Sequence, residues 1–227
     1  VLQKENVDSR GMLLDKKYFT TLAFVEVNES GERTFSFARK PGADTQIQKE
    51  ELDVDILDQT NIFHIGSLSL TDQPARDTTF YAVKRAKNKG SIISYDPNYR
   101  SSLWENEEIA KEHMRSLLPY VDIMKISDEE TELLSGYENV IEAAEELYRQ
   151  GVKIVAITLG RNGTYIYNKE GGRIVNGFAV EHVADTNGAG DSFWGSFLYK
   201  LSQSDKRIDE LTLEELAEYA RFGNAAA

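Results

Sequence analysis

From Ile62 onward the chain repeats a short apolar run, an amphipathic stretch and a glycine, and this rhythm restricts its possible folds more than any other feature. NIFHIGSLSL reads as a strand leading to a helix from Asp72, whose stripe carries Phe80, Val83 and Ala86, with Gly90 placed for a left-handed cap. SIISYDPN predicts the next strand. Glu105 to Leu118 predicts a helix with Ile109, His113, Leu117 and Leu118 on one stripe, and VDIMKIS follows as a short buried strand. Gly136 and Gly151 close two further helices, and KIVAITLG has the β-branched, apolar composition of a parallel strand covered on both faces. This alternation predicts an α/β fold with an open, doubly wound, mostly parallel sheet flanked by helices.

Two regions depart from the rhythm. Thr20 to Arg39 holds two β-rich runs around a turn at Asn28 to Glu32, and Phe35 and Phe37 fall on one face of the second run. A substrate lid has this pattern, and so does any half-buried sheet. The domain plan is therefore an α/β body over residues 1–19 and 40–227 with a β-hairpin over 20–39. Near the end, TYIYN and RIVNG flank a turn at Gly171 and Gly172. A helix then starts at Ala189 or Gly190 with Phe193, Trp194, Phe197, Leu198 and Leu201 on one stripe. Thr212 and Glu215 have capping-box spacing for a last helix.

Composition removes several classes of function. With no cysteine among 227 residues there are no disulfides, thiol nucleophiles or thiolate metal sites, which suits a reducing cytoplasm. No run approaches the roughly 18 apolar residues of a membrane span, and VLQKENVDSR lacks the order of a signal peptide. A net charge of −12 repels a phosphate backbone, so no nucleic acid partner is expected and any bound anion must be held locally. Both ends read as cut: there is no initiator Met, and FGNAAA stops inside a helical pattern.

The anion-binding candidate is DTNGAGD, Asp185 to Asp191. Gly188, Ala189 and Gly190 leave the backbone uncovered at the first turn of a helix, where unpaired amides and the helix dipole attract an anion. Asp191, just inside that turn, is placed to accept a proton from a hydroxyl beside a phosphoryl group. A glycine turn with a capping Asp would read the same way. A dinucleotide fingerprint fails because Phe193 stands where the third glycine belongs; Walker, kinase-loop, nucleophile-elbow and zinc-helix motifs are absent. His64, His113 and His182 show no metal-ligand spacing and read as structural or surface residues. TLGRNG, Thr158 to Gly163, ends the strongest strand, where Gly160 and Gly163 admit either a ligand or an ordinary turn.

TLGRNG followed by VADTNGAGDSFWG, with SYDPNYRSSLW and KISDEETELLSG upstream, resembles the ribokinase-like (PfkB) family of sugar kinases. GERTFSFARKPGAD, IFHIGSLSLT and DPNYRSSLW are most similar to its fructokinase branch. The resemblance spans essentially the whole chain and lacks the family's amino-terminal Gly-Gly sugar segment and its last strands. It implies that Asp191 is the catalytic base and that Gly188, Ala189 and Gly190 form the anion hole. It further implies that Thr158, Gly160 and Gly163 belong to the nucleotide loop, with Asn224 beside the adenine. Asn98 and Arg100 match a pair between nucleotide and sugar, Phe37 and Arg39 match lid positions facing the sugar, and Asp185 matches a monovalent-cation loop.

The family's Asn-x-x-Glu is here Ser127-x-x-Glu130, which is also a capping box; Glu130 is expected to act on magnesium through an outer-shell water, with Ser127 the weaker nucleotide contact. Asn187 stands where Thr is commoner and should act through its backbone. The resemblance thus implies an ATP-dependent sugar kinase using Mg2+ and in some members K+, with fructose as acceptor and 2-keto-3-deoxygluconate as the alternative. A homodimer through the lid is compatible with it. A noncatalytic nucleotide- or sugar-binding module is the reading of another class, and a fragment of this kind is expected to be weakly active or inactive alone.

Overall fold

Alternating apolar residues build two sheets in the computed structural model, which describes residues 2–27, 33–180 and 186–227. The smaller pairs β1 (Leu22–Val27) antiparallel with β2 (Arg33–Ala38); the turn expected between them lies outside the described residues. Ala23 pairs with Phe37, and Phe37 packs half-buried against the main core. Leu22 and Phe24 lie on the opposite face, 51% and 59% exposed, while Val25, 44% exposed, shares the face of Phe37.

The helix α1 (Val54–Gln59) starts at Asp53, whose Oδ1 accepts from the amides of Asp55 and Ile56, and leads into β3 (Ile62–Gly66). The expected alternation follows: α2 (Ala75–Asn88), β4 (Ile92–Asp96), α3 (Glu107–Arg115), β5 (Ile123–Ser127), α4 (Thr131–Ser135), α5 (Val140–Arg149) and β6 (Ile154–Thr158). Gly90, Gly136 and Gly151 stand at φ of 92°, 90° and 110°, the left-handed caps the sequence placed there. Two boundaries differ. A 3₁₀ turn at Leu68–Leu70 delays α2 until Ala75, and α3 buries Ala110 and Met114 while His113 stacks on Trp104, centroids 6.2 Å apart.

Beyond β6 the chain turns back through β7 (Thr164–Asn168) and β8 (Gly171–Val175), both antiparallel. The large sheet is therefore mixed, ordered β3-β4-β5-β6-β7-β8, with its first four described strands parallel. Among the described residues strand order follows chain order, and the sheet carries helices on its second face too. That face is covered by α6 (Ala189–Ser202) and α7 (Leu213–Ala226), which follow the antiparallel hairpin. The capping box at Thr212 and Glu215 is present at the start of α7.

The middle strands feed two cores. In β6, Val155 and Ile157 join the core under α2 to α5, whereas Ile154 and Ala156 join the core with Phe193, Trp194 and Phe197 of α6. Each such valine or isoleucine side chain, when fully buried, contributes roughly 1.5–3 kcal/mol. Under α6 and α7 the strands begin apolar, with Ile62, Ile92, Ile123 and Ile154. Two residues further along, the same face carries His64, Ser94 and Lys125 in place of isoleucine.

Candidate active site

The polar half of this face begins with a buried ion pair. Register places His64 beside Ser94 and Gly66 beside Asp96, and Lys125 follows in the next strand. Lys125 Nζ donates to Asp96 Oδ2 at 2.9 Å, with the two residues only 6% and 4% exposed. Burial, with Glu130 and Asp191 adding to it against the opposing pull of Lys125, pushes the Asp96 carboxyl up to about 6. Its Oδ1 is buried without a hydrogen-bond partner.

The first turn of α6 sits on this pair. Gly188 caps the helix at φ 75°, and the Ala189 amide donates to the Thr186 carbonyl at 3.2 Å, so one amide of the expected anion hole is engaged in the turn itself. Gly190 and Asp191 follow in the first turn, where amides lack intrahelical acceptors. A Cβ at position 190 would lie 2.9 Å from Lys125 Nζ; because Asp96 holds that ammonium, only glycine fits without displacing it. The Lys125 charge thereby reinforces the positive end of the α6 dipole. In front of it lies a cavity of about 210 Å³ lined by His64, Gly66, Leu68, Ser69, Asp96, Asn98 and Asp191. The structure thus brings Asn98 and Asp191 together, with Gly190 directly behind.

Asn98 stands at φ 49° in the DPNYR loop, a left-handed conformation that Asn tolerates. Glu130 holds this loop: its Oε1 accepts from the Tyr99 amide at 2.7 Å, and its Oε2 from the Ser127 amide at 2.8 Å and the Ser127 hydroxyl at 3.1 Å. The capping box read from the sequence exists and carries a third, long-range bond. Arg100 Nη1 donates to the Tyr99 carbonyl at 2.9 Å.

Other expected site residues lie elsewhere. Thr158 ends β6 half-buried, its hydroxyl donating to the Ile126 carbonyl at 3.3 Å. Gly160 is open, but a Cβ on Gly163 would come 2.1 Å from the Val175 carbonyl, so that glycine lets β8 approach. Asn224 bridges α7 to the sheet: its Oδ1 accepts from the Thr164 hydroxyl at 2.8 Å and its Nδ2 donates to the Val175 carbonyl at 3.0 Å. Arg39 is 5% exposed and donates to Asp44, Thr71 Oγ1 and the Leu68 carbonyl at 2.6–2.7 Å, pinning the base of the lid to the body beside Phe37. Asp185 and His182 lie outside the described residues.

Sequence reading missed Lys125 and Asp96. The signal for Lys125 was the one charge inside IMKIS, a largely buried strand, and such a charge requires a partner. His64, read as structural or surface, is exposed and also lines the cavity.

The model of the pfkB family of carbohydrate kinases matches residues 1–227. A probable fructokinase-2 of Arabidopsis thaliana is 38% identical over 226 residues, 99% of this chain and 68% of its own length. The fructokinase of Xylella fastidiosa with bound ATP superposes at a TM-score of 0.89 with 30% identity, covering 99% of this chain and 71% of that one. A double mutant of Vibrio cholerae O395 fructokinase, in its fructose-, ADP- and potassium-bound form, gives 0.86 with 30% identity over 96% of this chain and 70% of that one. Ion pair, cradle and carboxylate thus occur within a fold and sequence shared with these kinases, and the chain belongs to the pfkB family of carbohydrate kinases.

Proposed function

We propose that the protein transfers the γ-phosphoryl group of ATP to a primary hydroxyl of fructose, giving fructose 6-phosphate. The observation that carries this reading is Asp191: a carboxylate in the same first turn as the glycine cradle, opening into a cavity that also holds Asn98. Asp191 takes the hydroxyl proton as that oxygen attacks the γ-phosphorus, and the bond from phosphorus to the ADP oxygen breaks. First-turn amides, backed by Lys125, stabilise the charge on the transferred group. The related structures with bound fructose, ADP and ATP support both substrates.

Mg2+ is assigned on the donor set. Among the described residues no three acidic or histidine groups cluster as a metal site, and a nucleotide-borne Mg2+ needs only one or two carboxylates besides phosphates and water. The unpaired Asp96 Oδ1 fits that requirement, while Glu130, with both oxygens engaged by protein donors, is suited to an outer-shell role. When bound, Mg2+ neutralises phosphate charge. We assign K+ to the loop holding Asp185 by analogy with the potassium-bound relative. Thr158, Gly160, Gly163 and Asn224 are assigned to the nucleotide side, Arg100 to the phosphates, and Phe37 and Arg39 to the lid. Pairing of two lids through Leu22 and Phe24 would cover their exposed face. No helix of the described residues is long and apolar enough to cross a membrane, and we place the cysteine-free chain in the cytoplasm.

The test is ADP release by the intact protein with fructose, glucose and 2-keto-3-deoxygluconate as acceptors. Fructose is expected to give the highest kcat/KM, and a preference for the ketoacid would overturn the assignment. Nucleotide binding without turnover of any acceptor would instead favour a binding module.

A further inference from the structure

His64 lies in the wall of the Asp191 cavity, and a chain of two hydrogen bonds decides where its proton sits. Trp194 Nε1, on α6 and 2% exposed, can only donate, and it donates to Ser94 Oγ at 2.9 Å. Ser94 is fully buried, and its Oγ lies 3.0 Å from His64 Nδ1. With the indole already donating to it, Ser94 Oγ still has its own proton to place. Among the described residues the only acceptor within reach is His64 Nδ1. A proton on Nδ1 would leave two donors facing one hydroxyl and orphan the serine proton inside the protein, which is unfavourable. An imidazolium has the same fault. The surrounding protein also lowers the His64 pKa through burial, with Lys125 acting in the same direction and Asp191 opposing.

We infer that the Trp194–Ser94 relay fixes His64 as the neutral tautomer protonated on Nε2, and that this N–H serves as a substrate-positioning donor to a hydroxyl or carbonyl oxygen of a sugar in front of Asp191. The second half rests on the sugar-kinase reading. The arrangement removes His64 as a competing base, because its one lone pair is engaged by Ser94. Asp96 is held by Lys125, so the proton of the attacking hydroxyl goes to Asp191. It also explains why α6 carries an indole rather than phenylalanine one turn after Asp191: the relay begins with an N–H.

Nitrogen-15 NMR of histidine-labelled intact protein at pH 7 tests the tautomer without any activity. The His64 ring is expected to show a protonated Nε2 and an unprotonated Nδ1, and Ser94→Ala should abolish that fixed pattern. A proton on Nδ1, or an imidazolium, would overturn the inference. Kinetics with fructose and ATP test the contact: His64→Leu should raise the KM for fructose about tenfold or more with the KM for ATP unchanged, while His64→Gln, which keeps an N–H, should stay within about threefold. An unchanged fructose KM in His64→Leu would remove His64 from substrate binding. A wild-type protein that phosphorylates no sugar would count against the kinase reading itself, and the NMR result would still decide the tautomer.

Discussion

Under α2 to α5 the large sheet is apolar from one end of its strands to the other, with Phe63 and Ile65, Ile93 and Tyr95, Met124 and Ile126, and Val155 and Ile157. Under α6 and α7 the same strands start equally apolar and finish with His64, Ser94, Asp96 and Lys125. Ser94, Asp96 and Lys125 are buried, so solvent exposure does not account for their polarity, whereas His64, on β3, is exposed. Burying a charge beneath a helix is costly unless it is paired. The polar end coincides with the first turn of α6, where Gly190 leaves room for Lys125 and Asp191 opens into the cavity. One face is apolar along its whole length; the other carries at its carboxyl end the polar groups to which we assign the chemistry.

Substitutions on the two faces should therefore fail differently. Lys125→Met strands the Asp96 carboxylate and should cost about 3–5 kcal/mol in denaturant unfolding. Adding Asp96→Asn should recover most of that stability without recovering turnover; full activity in the double variant would make the pair purely structural. On the apolar face, Ile157→Ala should cost about 2–5 kcal/mol, with kcat unchanged below the melting transition. A large loss of kcat there would break the division between the faces.

Acidity separates the faces more finely. The folded Asp96 pKa of about 6 lies above its ordinary 3.8, so between these values the folded state holds more protons than the unfolded one. Stability from this group is therefore present at low pH and declines as pH rises from 3.8 to about 6. Melting temperatures over that range should fall in the wild type relative to the Lys125→Met/Asp96→Asn variant, and parallel curves would contradict the shift. The smallest expected effect is that of Arg100→Ala, a several-fold rise in the KM for ATP or a similar fall in kcat, consistent with one charged contact at a partly exposed site. Unchanged kinetics would remove Arg100 from the phosphates.

What could be read from the sequence was mostly local. Glycine caps at Gly90, Gly136 and Gly151, and the boxes at Ser127 and Thr212, involve groups a few residues apart, and the structure contains them. The glycine turn that starts α6 was legible for the same reason. Bonds between distant segments were not: Glu130 to the Tyr99 amide, Lys125 to Asp96, and Asn224 to Thr164 depend on strand order and register. Strand order, which follows the chain from β3 to β8 among the described residues, was likewise not readable from the alternating rhythm. Gly163 illustrates the limit of reading glycine alone, since its missing Cβ admits a neighbouring strand.

Phosphoryl transfer at the polar end of the α6 face, with Asp191 as its base, is the reading we propose. It is tested most directly by comparing fructose phosphorylation by the intact wild-type protein and its Asp191→Asn variant at saturating ATP, alongside their melting temperatures. The expected result is a fall in kcat of about 10²–10⁴-fold with an unchanged melting temperature. Wild-type turnover in the variant would contradict the account.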